Sequence, residues 1–194
     1  MLGGTFDPVH VGHIAVAQQC REQLALDEVL LVPSYQPPHR AAPVAGPQER
    51  LAMTRLAAAG VAGLEVDDVE VRRGGVSYAV DTVRALRQRD PGTDVVLLLG
   101  EDAALDFGTW HEPGEIGRLA RIAIFNRAGG PTLVGSEMEA AGLPLPTVRL
   151  EVDSPAVSAT EIRRRLASGE PVEGMLAASV IEFIRERGLY GFQQ

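Results

Sequence analysis

Two histidines, His10 and His13, close a glycine-rich segment that begins at Gly3 and reads GGTFDPVHVGH. Side chains three residues apart at the start of a helix project to the same side, so the two imidazoles would face one point. The free amides and the positive dipole end of a helix N-terminus favour an anion there. The pair therefore suits phosphate charge that develops in a transition state, and both histidines are candidate catalytic residues.

The residues before the histidines favour a loop that comes close to a ligand. Gly3 and Gly4 allow the backbone to turn sharply and to approach a bound molecule. Thr5 and Asp7 offer side chains that can bind the turn's own amides, and Pro8 stiffens the approach to the helix. The segment as a whole predicts a phosphate-handling loop that leads into a helix.

Two other interpretations of the histidine pair are open. His10 and His13 could be an ordinary turn histidine and a capped helix histidine, although the surrounding Gly-Gly-Thr-Phe-Asp-Pro weighs against this. A zinc site is disfavoured because the single cysteine, Cys20, falls on the apolar face of the predicted helix and no third ligand is evident. We therefore expect no protein-held metal, and we expect Cys20 to be a core residue.

Composition excludes several classes of protein. A net charge of -8 and a pI near 5.0 argue against broad binding to nucleic acid or to an anionic membrane. All 18 basic residues are arginine, so any lysine that a related protein uses must be arginine here. No signal peptide or apolar membrane span is evident, so we expect a cytoplasmic protein. The sequence leaves open whether it forms a homo-oligomer.

The elements that must position these residues follow an α/β pattern. With 194 residues and 45% hydrophobic content, the chain suits one domain over residues 1–194. Short apolar runs alternate with segments of helical period, which is typical of a parallel sheet covered by helices. Strands are predicted at Glu28 to Val32, Asp94 to Leu99, Arg121 to Phe125 and Thr147 to Val152. Helices are predicted at Val11 to Leu24, Pro47 to Ala59, Tyr78 to Arg89, Ala159 to Leu166 and Ala178 to Arg187.

Two stretches of the chain fit this pattern less well. The segment Gly129 to Pro146 contains Gly and Pro and is predicted to be irregular. Only Met1 and Leu2 precede Gly3, so the first strand is either unusually short or truncated in this sequence.

The segment GGTFDPVHVGH resembles the signature of the HxGH nucleotidyltransferase superfamily, and it is most similar to that of the bacterial nicotinate mononucleotide adenylyltransferases. The resemblance implies a doubly wound, Rossmann-like parallel sheet with helices on both faces. It also implies adenylyl transfer from ATP to nicotinate mononucleotide, with Mg2+ carried by ATP. The loop residues implied to contact ATP are Gly3, Gly4, Thr5, Phe6, His10 and His13.

Later segments extend the resemblance over nearly the whole chain. Gly100 and Asp102 resemble a Gly-x-Asp motif that contacts the ATP ribose. Ser158, Thr160 and Arg163 resemble the helix start that cradles the β and γ phosphates. A capping box from Ser158 to Glu161 would explain part of that second pattern by itself.

The resemblance also places the acceptor. Arg40, in a Pro-Pro-His-Arg loop, and Asp7 are implied at the mononucleotide. Ser77, Tyr78 and Ala79 resemble the family's SYTxDT segment, although Ala79 replaces a threonine that helps to hold the carboxylate. Trp110 would stack on the pyridine ring, and the amide of His111 would donate to the ring's carboxylate.

Other functions stay possible at this point. The acceptor could be nicotinamide mononucleotide or phosphopantetheine, because related signatures serve related acceptors. The chain could also be a nucleotide-binding regulator without catalysis, or an interaction module of the same fold. For an interaction module we would expect the glycines but not this set of histidines and arginines.

Overall fold

The computed structural model describes residues 1–38, 41–127, 135–144 and 146–192, and within these ranges the chain forms six strands and nine α-helices. The strands are β1 (Leu2–Gly4), β2 (Val29–Pro33), β3 (Leu64–Val66), β4 (Val96–Gly100), β5 (Arg121–Arg127) and β6 (Val148–Val152). The helices are α1 (Val11–Gln23), α2 (Pro47–Ala58), α3 (Val69–Arg73), α4 (Ala79–Arg89), α5 (Glu101–Leu105), α6 (Pro113–Leu119), α7 (Gly135–Ala140), α8 (Ala159–Ala167) and α9 (Ala178–Arg187). Short 3-10 turns lie at Phe107–Thr109 and Leu189–Gly191.

All strand pairs are parallel, and the strands form two groups with the orders β1-β2-β3 and β4-β5-β6. The two groups meet at Met1, whose carbonyl oxygen accepts a hydrogen bond from the Leu98 amide at 2.9 Å. On one side of this junction β2 and β3 follow β1, and on the other side β5 and β6 follow β4, so the order of the strands reverses here. The carboxyl ends of β1 and β4 therefore lie side by side at the switch point, which is where open α/β sheets bind ligands.

Helices cover both faces of the sheet. Along β4, Val96 and Leu98 join one apolar cluster while Leu97 and Leu99 join a second, as the period-two alternation of a strand requires. The first cluster receives side chains from α1, α2, α8 and α9, and the second receives side chains from α3, α4, α5, α6 and α7. The prediction of a doubly wound sheet with helices on both faces is confirmed.

The predicted long elements are confirmed, with boundaries that shift by one or two residues. The strand predicted from Asp94 begins at Val96, and the helix predicted from Tyr78 begins at Ala79. Shorter elements such as β3 and α5 were not predicted, because three to five residues are too few to show a period.

The prediction that residues 129 to 146 are irregular is wrong for part of that stretch. Helix α7 lies within it, and Met138 on this helix is buried in the second apolar cluster. Tertiary packing therefore stabilises a helix that the Gly and Pro around it had argued against. None of the helices among the described residues combines the length and the apolar character that a membrane crossing needs.

We predict that Cys20 does not react in the folded protein. Its side chain is fully buried in the first apolar cluster, and this burial raises the pKa of the thiol to about 12. Because the thiolate is the reactive form, a disulfide reagent such as dithiobis-nitrobenzoate should label no cysteine in buffer. The same reagent in concentrated urea should label the chain's one cysteine, which serves as the control. Labelling at equal rates in both conditions would contradict the prediction.

Candidate active site

The loop after β1 turns at Phe6, whose backbone has a φ of 50°. Gly3 and Gly4 lie inside β1 and not in the turn, so the expectation that they form the turn is corrected. The structure gives Gly4 a different reason to be glycine. A Cβ atom there would lie 2.8 Å from the buried Phe6 ring, which is closer than atoms can approach.

His10 and His13 are brought together at the start of α1. His10 is the N-cap residue, and its backbone N–H donates to Nδ1 of His13 at 3.2 Å. The two rings stack with centroids 3.7 Å apart, and the Phe6 ring meets His13 edge to face at 5.0 Å. Because Nδ1 of His13 accepts this bond, the neutral ring carries its proton on Nε2. The structure therefore brings the two imidazole rings together at the helix start, and their action on phosphate stays a prediction.

The close packing of the His10 ring explains why residue 12, between the two histidines, is glycine. A Cβ atom at residue 12 would lie 3.1 Å from Nδ1 and 3.2 Å from Cε1 of His10. A side chain there would crowd the His10 ring and require it to shift. The absence of a side chain at Gly12 therefore leaves room for the His10 ring to stack on His13.

Asp7 makes more contacts than the sequence indicated. Its buried carboxylate accepts from the amides of Val44 at 2.8 Å and Ala45 at 3.0 Å, and from the Tyr190 hydroxyl at 2.9 Å. These donors belong to the loop before α2 and to the 3-10 turn after α9, not to the turn of Asp7 itself. The expectation that Asp7 binds its own turn is therefore wrong, because distant segments supply the donors.

Arg50 lies beneath the same loop and was missed by the sequence analysis. Its guanidinium donates to the carbonyl oxygens of Thr5 at 2.6 Å, Tyr35 at 3.0 Å and Ala45 at 3.1 Å. The side chain is fully buried, and burial lowers its pKa while the negative charge of Asp7 opposes the shift. No sequence signal marks Arg50, since an arginine on α2 looks like a solvated residue.

The start of α8 lies against this loop. Nη1 of Arg163 donates to the carbonyl oxygen of Asp7 at 2.7 Å and lies 3.8 Å from its carboxylate. Ser158 caps the helix by accepting from the Glu161 amide at 3.2 Å, and Nη2 of Arg163 reaches Thr160 Oγ1 at 3.4 Å. The three residues predicted at the ATP phosphates therefore share one helix start beside the histidine loop.

The other half of the capping box is not formed, because the Glu161 carboxylate pairs with Arg164 and Arg165.

Gly100 and Asp102 occupy the end of β4. Gly100 is the last residue of the strand and the N-cap of α5, and Asp102 lies in the first turn of that helix. Both are at the carboxyl edge of the sheet, next to β1. The structure thus places the predicted ribose contacts on the same edge as the predicted phosphate contacts.

The predicted acceptor residues come from two loops. Ser77 Oγ accepts from the Tyr35 amide at 2.9 Å, and the Tyr78 ring lies 4.4 Å from the His111 ring. Trp110 follows a 3-10 turn and packs against Phe107, with ring centroids 5.7 Å apart. The tryptophan is therefore a packing anchor, and its contact with a pyridine ring stays a prediction. Residue Arg40 lies outside the described residues.

A buried acid, Glu70, supports this second half of the site. Thr82 Oγ1 donates to Glu70 Oε1 at 2.6 Å, and Arg73 Nη2 donates to Thr82 Oγ1 at 3.2 Å. Ser77 also hydrogen-bonds to Glu70. Burial raises the pKa of Glu70, and the bonds from Thr82 and Ser77 oppose that shift. Glu70 thereby ties the segment before α4 to the helix itself.

The chain is similar to proteins of one enzyme family. A family model described as cytidylyltransferase-like matches residues 1–165. A protein from Gemmatimonas aurantiaca named probable nicotinate-nucleotide adenylyltransferase is 38% identical to this chain. The match covers 98% of this chain and 90% of that protein. The protein of the same name from Marinobacter nauticus is 41% identical, and the match covers 98% of this chain and 95% of that protein.

A solved structure has the same fold. The nicotinic acid mononucleotide adenylyltransferase of Plasmodium falciparum, complexed with NaAD, matches with a TM-score of 0.81 over 99% of this chain and 96% of that chain. The two sequences are 17% identical, so this likeness shows the fold alone.

The burial of Glu70 predicts a pH-dependent stability. The folded pKa of Glu70 is raised above its ordinary 4.5, so the unfolded chain releases this proton first as the pH rises. The free energy of unfolding should therefore fall between the two pKa values and then level off. Glu70→Gln keeps an oxygen acceptor for Thr82 and removes the titration.

Urea unfolding of both proteins, over a series of pH values upward from 4.5, measures the effect. Wild type should lose stability relative to Glu70→Gln through that interval. Glu65→Gln, at an exposed carboxylate on β3, controls for the loss of one negative charge. A constant difference between wild type and Glu70→Gln would show that the prediction is wrong.

Proposed function

Because the chain belongs to the cytidylyltransferase-like family and, within it, to the nicotinate-nucleotide adenylyltransferases, we propose that it transfers the adenylyl group of ATP to nicotinate mononucleotide. The products are nicotinate adenine dinucleotide and pyrophosphate, in a step of NAD biosynthesis. The observation that carries the proposal is the stacked pair His10 and His13, with Arg163 anchored on the same loop. These groups bring donors for phosphate oxygens to the switch point of the sheet.

The reaction proposed is a direct displacement. An oxygen of the mononucleotide phosphate attacks the α-phosphorus of ATP, and the bond from that phosphorus to the bridging oxygen of the β-phosphate breaks. A phosphate monoester is already ionised at neutral pH, so the step needs no general base and no covalent enzyme intermediate. The protein then acts by positioning and by charge stabilisation. His10 and His13 donate to the transferring and leaving phosphates.

ATP is proposed to lie along the carboxyl edge of the sheet, from β1 to β4. Thr5 and Phe6 would line it, with the backbone of Gly3 and Gly4 close by. Asp102, after Gly100, would accept from the ribose hydroxyls. We propose that Ser158, Thr160 and Arg163 contact the β and γ phosphates. The amides at the start of α8 add the positive end of a helix dipole to the charge of Arg163.

The acceptor is proposed to lie between the loop of Ser77 and the loop of Trp110. Trp110 would face the pyridine ring, and the amide of His111 would donate to the ring's carboxylate. Ala79 has no hydroxyl, but as the first residue of α4 it has an amide without an intrahelical acceptor, which can donate instead. The remaining members of the proposed acceptor set are Asp7, Arg40, Ser77 and Tyr78.

Magnesium is proposed to arrive as part of the substrate. Mg2+ is held in many nucleotide sites chiefly by substrate phosphates and water, and it would neutralise charge on the leaving pyrophosphate. Among the described residues, no group of three or more His, Cys, Asp or Glu side chains could hold a metal ion. We also propose that the chain acts as one domain in the cytoplasm, which supplies ATP.

The acceptor assay tests this function. Purified protein, ATP and Mg2+ are incubated with nicotinate mononucleotide, nicotinamide mononucleotide or phosphopantetheine in turn, and pyrophosphate release is measured. We expect release with nicotinate mononucleotide at the highest kcat/KM. Faster release with either other acceptor would replace the proposed substrate. Release with none would favour a binding protein of the same fold.

The histidine pair predicts the size of a catalytic defect. His13→Ala removes one preorganised donor, so kcat should fall about 100- to 1,000-fold. The variant also removes the acceptor for the His10 amide and the edge contact of Phe6. Circular dichroism and thermal unfolding must therefore show that it stays folded.

Arg164→Ala, at an exposed arginine of α8 that pairs with Glu161 and Glu170, is the matched control and should keep its turnover. A folded His13→Ala protein with near-normal kcat would remove His13 from the mechanism.

A further inference from the structure

The 3-10 turn Leu189–Gly191 places one side chain deep in the site. Tyr190 is 8% exposed although its backbone has a φ of 59°, a left-handed conformation that aromatic residues rarely adopt. Its ring packs in the first apolar cluster. Its hydroxyl donates to Asp7 Oδ1 at 2.9 Å, and Met53 Sδ lies 4.0 Å away. The ring thus serves the core, while the hydroxyl serves Asp7.

Asp7 joins Tyr190 to the groups proposed to act on phosphate. Its carboxylate holds the amides of Val44 and Ala45, and its carbonyl oxygen holds Arg163. Three residues further along the same loop is His10. A shift of Asp7 would therefore move both a histidine and an arginine of the site.

The Tyr190 hydroxyl and the Arg163 guanidinium both interact electrostatically with the Asp7 carboxylate. Burial, followed by the charge of Asp7, raises the pKa of the Tyr190 hydroxyl, so this group remains a donor throughout the neutral range. Arg163 lies 3.8 Å from the carboxylate and bonds the carbonyl oxygen instead. If the hydroxyl were absent, the carboxylate would lose a donor and would attract Arg163 more strongly. The guanidinium would then move toward the carboxylate and away from the proposed position of the phosphates.

We propose that Tyr190 is a positioning residue for adenylyl transfer: its hydroxyl bonds Asp7 and so holds the His10 loop and Arg163 in the reactive arrangement. This inference rests on the proposed function. It makes the turn after α9 part of the catalytic apparatus, although that turn lies 183 residues from Asp7 along the chain.

Tyr190→Phe tests the role, because it removes one oxygen and keeps the ring in the core. We expect kcat to fall about tenfold, since a hydrogen bond to a charged group is lost, with KM for nicotinate mononucleotide changed less than about twofold. A defect of packing alone would lower the amount of folded protein and not kcat per folded molecule. Turnover is therefore divided by the folded fraction from near-ultraviolet circular dichroism.

Ser179→Ala is the matched control. It removes another hydroxyl of the same region, one that bonds the Leu56 carbonyl of α2 at 3.4 Å and has no contact with Asp7. We expect its kcat to equal that of wild type.

A double-mutant cycle shows whether Tyr190 acts through Asp7. In an Asp7→Asn background, Tyr190→Phe should lower kcat much less than it does in wild type. Equal effects in both backgrounds would overturn the proposal, as would a folded Tyr190→Phe protein with unchanged kcat. If Tyr190→Phe does not fold, Asp7→Asn alone decides: a folded Asp7→Asn protein with a wild-type kcat would overturn the proposal, and one with a reduced kcat would support it.

The wild-type assay separates the two levels of inference. No pyrophosphate release from wild type with any acceptor would overturn the proposed function, and this inference with it. Normal wild-type release with unchanged Tyr190→Phe turnover would overturn the role of Tyr190 alone.

Discussion

A buried carboxylate must be paired with donors, and the site is organised around one such group. Asp7 has two amides, one hydroxyl and a nearby guanidinium around it. An ionised carboxyl without these donors would be strongly disfavoured in the interior. The interactions of this one carboxylate therefore connect four segments: the loop after β1, the loop before α2, the start of α8 and the turn after α9. His10 and Arg163, the groups proposed to contact phosphate, are held by these same segments.

The loop proposed to contact the acceptor is also held by a buried acid, Glu70. Glu70 is buried below the segment before α4, where it holds Thr82 and Ser77. Arg50 interacts electrostatically with both acids, and its guanidinium donates to three backbone carbonyl oxygens. The loops that would touch substrates are thus held from beneath by buried charges.

The sequence alone was sufficient for the four longer strands β2, β4, β5 and β6, for the long helices and for the pairing of the two histidines. Periodicity reveals elements such as β4 and α1, and the segment GGTFDPVHVGH reveals the chemistry. What it could not reveal were contacts between distant segments. Tyr190 looks like a residue near a chain terminus, and Arg50 looks like a surface arginine of α2. Only the fold shows that both are buried beneath Asp7. Short elements such as α7 were missed for the same reason, since packing and not propensity stabilises them.

The bond between Asp7 and Tyr190 also has a temporal meaning. The histidine loop is synthesised before the turn that holds it, because Tyr190 lies 183 residues after Asp7 in the chain. The sheet and α1 can begin to form while translation continues. The loop, however, cannot reach its final arrangement until residue 190 has emerged. During its synthesis the protein would therefore pass through a stage in which much of its fold has formed but the hydrogen bond from Tyr190 to Asp7 has not.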